Sequence, residues 1–152
     1  MVTSAFPGVV DALISKLRTA LPNVVIYDGI EPTNDVNDQY IVVGANDAEA
    51  SDVTAGSASN EYISLGAKSM YENGTVNCVL VAQSGDTTLA DQRLAAFTLL
   101  NTADTAVRSD TTLNGSCLYA GLSDTTTTYM QTTLGAAVEI SFTVTYRAKT
   151  NL

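Results

Sequence analysis

The stretch A-A-V-E-I-S-F-T-V-T-Y-R-A-K, residues 136–149, decides the fold. Val138, Ile140, Phe142, Val144 and Tyr146 alternate without a break with Glu139, Ser141, Thr143, Thr145 and Arg147. Strand side chains point alternately to two faces, so this period of two predicts one long strand with an apolar and a polar face. A slip of one residue would turn the whole apolar set into water, which pins the register. At about 3.3 Å per residue the strand is roughly 40 Å long, well beyond the usual length. Such a strand spans a small domain or reaches into a neighbour, and the rest of the chain has to cover its apolar face.

Upstream, Tyr129–Leu134 is expected to be a strand, parted from the last one by a bulge or bend at Gly135. S-D-T-T-T-T, residues 123–128, reads as a polar turn after a strand at Cys117–Leu122. Gly85-Asp86-Thr87 opens a helix with Asp86 or Thr87 as N-cap, and Asn114-Gly115 closes that region. Leu89, Arg93, Ala96, Phe97, Leu100, Ala103 and Val107 mark its sheet-facing stripe. Leu94 and Leu99 fall outside that stripe, which predicts a second covering surface on their flank. Glu61–Ala67 and Thr75–Gln83 are expected to pair around an Asn73-Gly74 turn, the second of them mid-sheet.

Nearer the start, Tyr40–Ala45 reads as a strand and Val24–Asp28 as a short strand buried on both faces. Ser4–Leu21 reads as a helix with Ser4 as N-cap, Pro7 in the first turn and Pro22 ending it. Together these elements predict an α+β fold. A mainly antiparallel mixed sheet packs against two helices in a single domain over residues 1–152.

Residues 46–60, N-D-A-E-A-S-D-V-T-A-G-S-A-S-N, are small, polar and aperiodic, with Val53 the only large apolar side chain. Loops this long are uncommon unless they are functional or ordered by a partner, so the segment is the first candidate contact region. The candidate assembly contacts are Asp47, Glu49, Asp52, Val53, Asn60, Tyr62, Tyr71, Asp124, Tyr129 and Met130. Tyr62, Tyr71, Tyr119 and Tyr129 suit an interface, where tyrosine spans dry and wet surroundings, and suit strand packing equally well. Glu139, Ser141, Thr143 and Thr145 form a polar strand face that lines a pore or meets water.

Composition narrows the function classes. The 152 residues are enough for one buried core, and 45% hydrophobic content argues against global disorder. No apolar run reaches the roughly 18 residues of a membrane span, and Val2–Leu21 is no cleaved signal, so the expectation is a soluble protein without an anchor. The net charge is −9, with eight acidic and no basic residues between Arg18 and Lys68. Such a chain repels phosphate, although DNA can slide past it. Cys78 and Cys117 show no metal spacing and read as buried free thiols.

There is no histidine, which removes the commonest general base, the Ser-His and Cys-His pairings and most transition-metal sites. No nucleotide-binding glycine motif occurs. Asn34–Asp38 lacks the glycine and distal glutamate of a calcium loop and reads as an exposed turn. Asn73-Gly74-Thr75 and Asn114-Gly115-Ser116 read as turn chemistry rather than glycosylation sites. An enzyme is not expected, and neither is a cofactor or a metal.

The element order, with V-V-I-Y-D-G near the start, S-G-D before the second helix and T-V-T-Y-R-A at the end, resembles the tail terminator, or minor tail U-like, proteins of long-tailed double-stranded DNA bacteriophages. The resemblance covers nearly the whole chain. It implies a homo-hexameric ring on the head-proximal end of the tail tube, which halts tube growth and presents a surface to the head-completion or stopper protein. It further implies a virion protein at the head–tail junction, assembled in the host cytoplasm. Double-stranded DNA passes through the pore without specific binding, and there is no membrane partner. Three rival readings are another head–tail joining or stopper protein, a monomeric ligand- or peptide-binding domain, and a hydrolase using paired carboxylates.

Overall fold

The computed structural model describes residues 3–30, 38–46, 53–64, 66, 68–85, 88–132 and 135–151. Within them lie helices α1 (Phe6–Ala20) and α2 (Leu89–Ser109). The strands are β1 (Val25–Asp28), β2 (Gln39–Val43), β3 (Gly56–Tyr62), β4 (Ser69–Ser84), β5 (Tyr119–Thr132) and β6 (Gly135–Asn151). They form one sheet in the order β1-β2-β4-β6-β5, with β3 also paired to β4. Only β1 and β2 run parallel; the other pairs are antiparallel. This is the expected α+β arrangement, a mainly antiparallel mixed sheet against two helices.

The alternation in β6 reads out as written. Val138, Ile140, Phe142, Val144 and Tyr146 are all buried, and β6 runs in register with β4 from Ala136↔Ser84 to Asn151↔Ser69. Their cluster includes Ile41, Val76, Cys78 and Leu80 of the neighbouring strands, Val9, Leu13 and Leu17 of α1, and Ala96, Leu99, Ala103 and Val107 of α2. Each large apolar side chain so buried contributes about 1.5–3 kcal/mol. A smaller cluster, Tyr40, Val42, Ala45, Val79 and Val81, draws in Tyr27 and Val53 and occupies the opposite face at the β2 end.

β4 has two successive neighbours on one side. It pairs with β3 over residues 70–76 and with β2 over residues 78–82. Asn77 joins the two regimes: its carbonyl accepts from the Gly44 and Ala45 N–H groups, and its own N–H donates to Ala55. Its side-chain amide donates to the Thr54 carbonyl at 3.0 Å. Gly44 turns the chain there at φ 89°, a conformation that favours glycine.

This corrects the reading of residues 46–67. Gly56–Tyr62 is a strand rather than part of a loop, and the chain turns between Tyr62 and Ser69, not at Asn73-Gly74. Gly74 lies mid-strand because the Tyr146 ring fills its side-chain space; a Cβ there would sit 2.4 Å from Tyr146 Cζ. Residues 123–128 are likewise no turn. They continue β5, with a register shift between Leu122 and Thr125. β1 is an edge strand with only Ile26 buried, not a strand covered on both faces.

The helix ends also differ from expectation. The α2 N-cap is Thr88, in a capping box with Asp91, and not Asp86 or Thr87, which lie outside the described residues. The buried α2 stripe is Gln92, Ala96, Leu99, Ala103 and Val107, rotated so that Arg93 and Phe97 are exposed. Leu99 is therefore core, and Leu94 is 70% exposed, so no second surface among the described residues covers it. The α1 N-cap is Ala5, without a side-chain cap; Ser4 Oγ accepts from Phe6 N–H instead. Ala5 N–H donates to Glu72 on β4, so an anion from the sheet occupies the positive end of the helix.

Candidate assembly surface

Among the described residues, large apolar side chains reach the surface at three separate places. At the first, β1 forms a lateral edge with Val25 at 37% and Ile30 at 59% exposure. The second is the end of the sheet where the β3–β4 connection and the last residues of β6 meet. It carries Tyr62 at 72% and Tyr119 at 54% exposure, on opposite faces of the sheet by strand register, with Ile63 and Leu118 next to them in the chain. The third is the α2–β5 flank, with Leu94, Phe97 and Tyr129. There the Arg93 guanidinium donates to the Tyr129 hydroxyl at 3.0 Å and lies 6.0 Å from the ring centroid. Scattered exposed apolar residues are ordinary, but pairs at helical and cross-strand spacing form patches.

The sheet face away from the helices is different in kind. Its side chains follow the register Ser57↔Thr75↔Thr145 and Ser59↔Asn73↔Arg147 across β3, β4 and β6. Thr143 Oγ1 shares a hydrogen bond with Ser123 Oγ at 2.6 Å and accepts from Asp124 N–H. The result is a surface of hydroxyls and amides. Towards its end Arg147 stacks 4.1 Å over the Tyr71 ring and pairs with Glu61. Ser57, Asn73, Thr75, Tyr119, Thr145 and Arg147 line an open depression on this face.

The candidates from the sequence distribute over this frame. Asp47, Glu49 and Asp52 lie outside the described residues, as does most of the 34–38 turn. Val53 is half-buried against the smaller apolar cluster, so it packs rather than reaches out. Asn60 is exposed on β3 opposite Glu72, and Tyr71 is half-buried under Arg147. Asp124 is exposed at the β5 register shift, and Met130 is half-buried opposite Ala137. Glu139, Ser141 and Thr143 are half-buried and Thr145 is exposed, all on the face away from the helices. The β3 candidates and the β5 candidates stand on opposite sides of the β4–β6 pair, so one chain does not bring them together.

Leu94, Phe97, Val25 and Ile30 were not expected at the surface. The only signal for Leu94 was its position off the assigned stripe. For β1 the signal was its length, since four residues with a single neighbour form an edge.

Reactive groups are few. Cys78 and Cys117 are free and buried. Burial pushes the Cys78 thiol up to about 12 and raises that of Cys117. Among the described residues, no three of the acidic and cysteine side chains come together as a metal cage requires. Asp110 is held well below the usual carboxylate range, chiefly by the Thr112 hydroxyl, and serves the turn after α2. Among the described residues, no helix is long and apolar enough to cross a membrane.

No family model matches the chain, and no curated protein matches it significantly.

Proposed function

We propose that this chain is a structural ring subunit of the tail terminator kind. Six copies close on the head-proximal end of a phage tail tube, stop its growth and offer the head-completion or stopper protein a docking surface. The supporting observation is the presence of three unlike exposed patches on one fold: the β1 edge, the strand end with Tyr62 and Tyr119, and the α2–β5 flank. A ring subunit needs two unlike patches for its two neighbours, because unlike patches give a heterologous contact that closes by rotation. It needs a further patch for an axial partner.

The hydroxyl- and amide-rich middle of this face suits a passage for duplex DNA, since Ser57, Thr75, Thr143 and Thr145 offer polar contact there and the cations Arg147 and Lys149 stand at its end. The net charge of −9 acts in the same direction. A ligand-binding module would instead need a concave apolar pocket. The depression on the sheet face is open and has a mixed lining, with Ser57, Asn73, Thr75, Thr145 and Arg147 among the aromatic Tyr119 and Tyr146. Another head–tail joining protein would use the same surfaces at a different position in the particle.

The experiment is to add the purified chain to polymerising tail tube protein and measure tube length. Elongation should stop at one end, with six-fold density capping it. Tubes that grow to the same length with bare ends would sink the proposal.

A further inference from the structure

Charge is spread unevenly over this chain, and the unevenness names a contact. Of seven lysines and arginines, Lys68, Arg147 and Lys149 gather at the strand end that also bears Tyr62 and Tyr119. Lys68 directly precedes Ser69, the first residue of β4, and Lys149 stands opposite Tyr71 in the β4–β6 register. Glu61 pairs with Arg147, which leaves Lys68 and Lys149 as the positive excess of the tip. Both lysines are exposed.

The β1 edge is its complement. Asp11 of α1 and Asp28 of β1 line one shallow depression, and Val25 and Ile30 are exposed on the same strand and the turn after it. Arg18 also lines the depression, with its guanidinium tied to the Ile26 carbonyl at 3.0 Å. Asp38, exposed before β2, adds to the acidic side. A chain cannot join the two patches on itself. The tip lies beyond Met70 while β2 pairs around Leu80, about 30 Å further along β4 at strand rise.

We propose that the Lys68–Lys149 tip of one copy docks on the Asp11–Asp28 edge of a second copy of this chain. The proposal rests on the ring reading and supplies it with a named contact. A protein partner is favoured over nucleic acid because affinity for phosphates is built from many Lys and Arg contacts along the backbone. This tip has two in excess, with Tyr119 exposed on the Arg147 and Lys149 face and Tyr62 on the other, and tyrosine is a residue that anchors protein interfaces. An acidic protein partner is required, and the chain carries an acidic apolar edge of its own. The α2–β5 flank then remains for the axial partner.

Two double variants test the contact: Lys68→Glu/Lys149→Glu and Asp11→Lys/Asp28→Lys. Each is followed by sedimentation velocity in about 0.1 M salt, where exposed charges still act over roughly 10 Å, alone and as an equimolar mixture. Each alone should need more than about tenfold higher concentration to associate, because like charges then face each other. The mixture should recover wild-type association, since reversed tips meet reversed edges in alternation. That recovery also excludes misfolding as the cause of the loss.

The contact is overturned if either variant associates like the wild type, if the mixture stays as weak as its parts, or if the wild type never associates. Retention of duplex DNA by the wild type, lost in the tip variant while association is unchanged, overturns it in favour of nucleic acid. Rings that survive both variants remove this contact and leave the ring reading standing. Closed pairs that obey the charge swap keep the contact and remove the ring.

Discussion

The Tyr146 hydroxyl donates to the Glu72 carboxylate at 2.7 Å, and the same oxygen accepts the Ala5 N–H at 3.1 Å. Three elements distant in sequence, β6, β4 and the start of α1, therefore meet at one carboxylate that is 1% exposed. A buried carboxylate needs partners, and here a phenol and a helix N-terminus provide them. The knot fixes α1 over the half of the sheet that leads to the tip.

Tyr146→Phe should destabilise the fold by about 1–3 kcal/mol, since Glu72 then keeps only the backbone donor. Burial, and then Glu72, hold the phenol neutral well above its ordinary range. The folded value being raised, this contribution is complete below pH about 10 and is lost as pH rises beyond it. Urea titrations should show a gap between wild type and variant that is constant at pH 7–9 and narrows above pH 10 or so. An unchanged gap at high pH would contradict the assignment.

Gly74→Ala places a Cβ 2.4 Å from the Tyr146 ring, whereas Gly121→Ala meets nothing within 4 Å. The first should cost about 1–3 kcal/mol through overpacking. The second should stay within about 0.5 kcal/mol. Equal urea midpoints for the two would mean that Tyr146 does not lie over Gly74.

Phe142→Ala removes a side chain that is 2% exposed, and should cost about 3–5 kcal/mol. Ser141→Ala, on the opposite face, should change stability by less than about 0.5 kcal/mol. Reversal of that order in chemical denaturation would turn the sheet over.

The thiols give a test without mutation. The thiolate is the reactive form, and burial disfavours it at both sites. Ellman's reagent at pH 8 should titrate both cysteines at once in denaturant and neither promptly in the native protein. Rapid reaction of Cys78 in the native state would place it outside the core.

Leu94→Glu/Phe97→Glu alters side chains that are 70% and 39% exposed on α2. The melting midpoint should hold within a few degrees, as for other surface changes, while the fraction of capped tube ends falls. A large fall in melting temperature would instead place this flank in the core.

The fold was legible where burial writes a period. β6 carries its apolar face in plain alternation, and β4 is apolar where β2 and β6 flank it. β3 was not legible, because G-S-A-S-N-E-Y buries no face and is a strand only by pairing with β4. The threonines of β5 carry no periodic turn-or-strand signal for the same reason: an exposed edge strand needs no apolar side, and β-branched residues alone supply the preference. Asn73-Gly74 has a turn signature locally, and the ring that claims Gly74's space comes from seventy residues further on, roughly speaking. The α2 stripe slipped because alanines and leucines fit two neighbouring faces, and the buried Gln92 gave no apolar marker.

Candidate contacts followed the same rule. Tyr62 and Tyr129 were found from side-chain chemistry and are exposed. Leu94, Phe97 and Ile30 are exposed without a signal from side-chain chemistry, because an exposed apolar residue looks in sequence like a core one.

Negative-stain electron microscopy of the purified chain, alone over a range of concentrations and mixed with tail tubes, tests the ring most directly. Six-fold rings with a central passage wide enough for duplex DNA, free or seated on one tube end, are the predicted result. Monomers at every concentration, with both tube ends left bare, would contradict it.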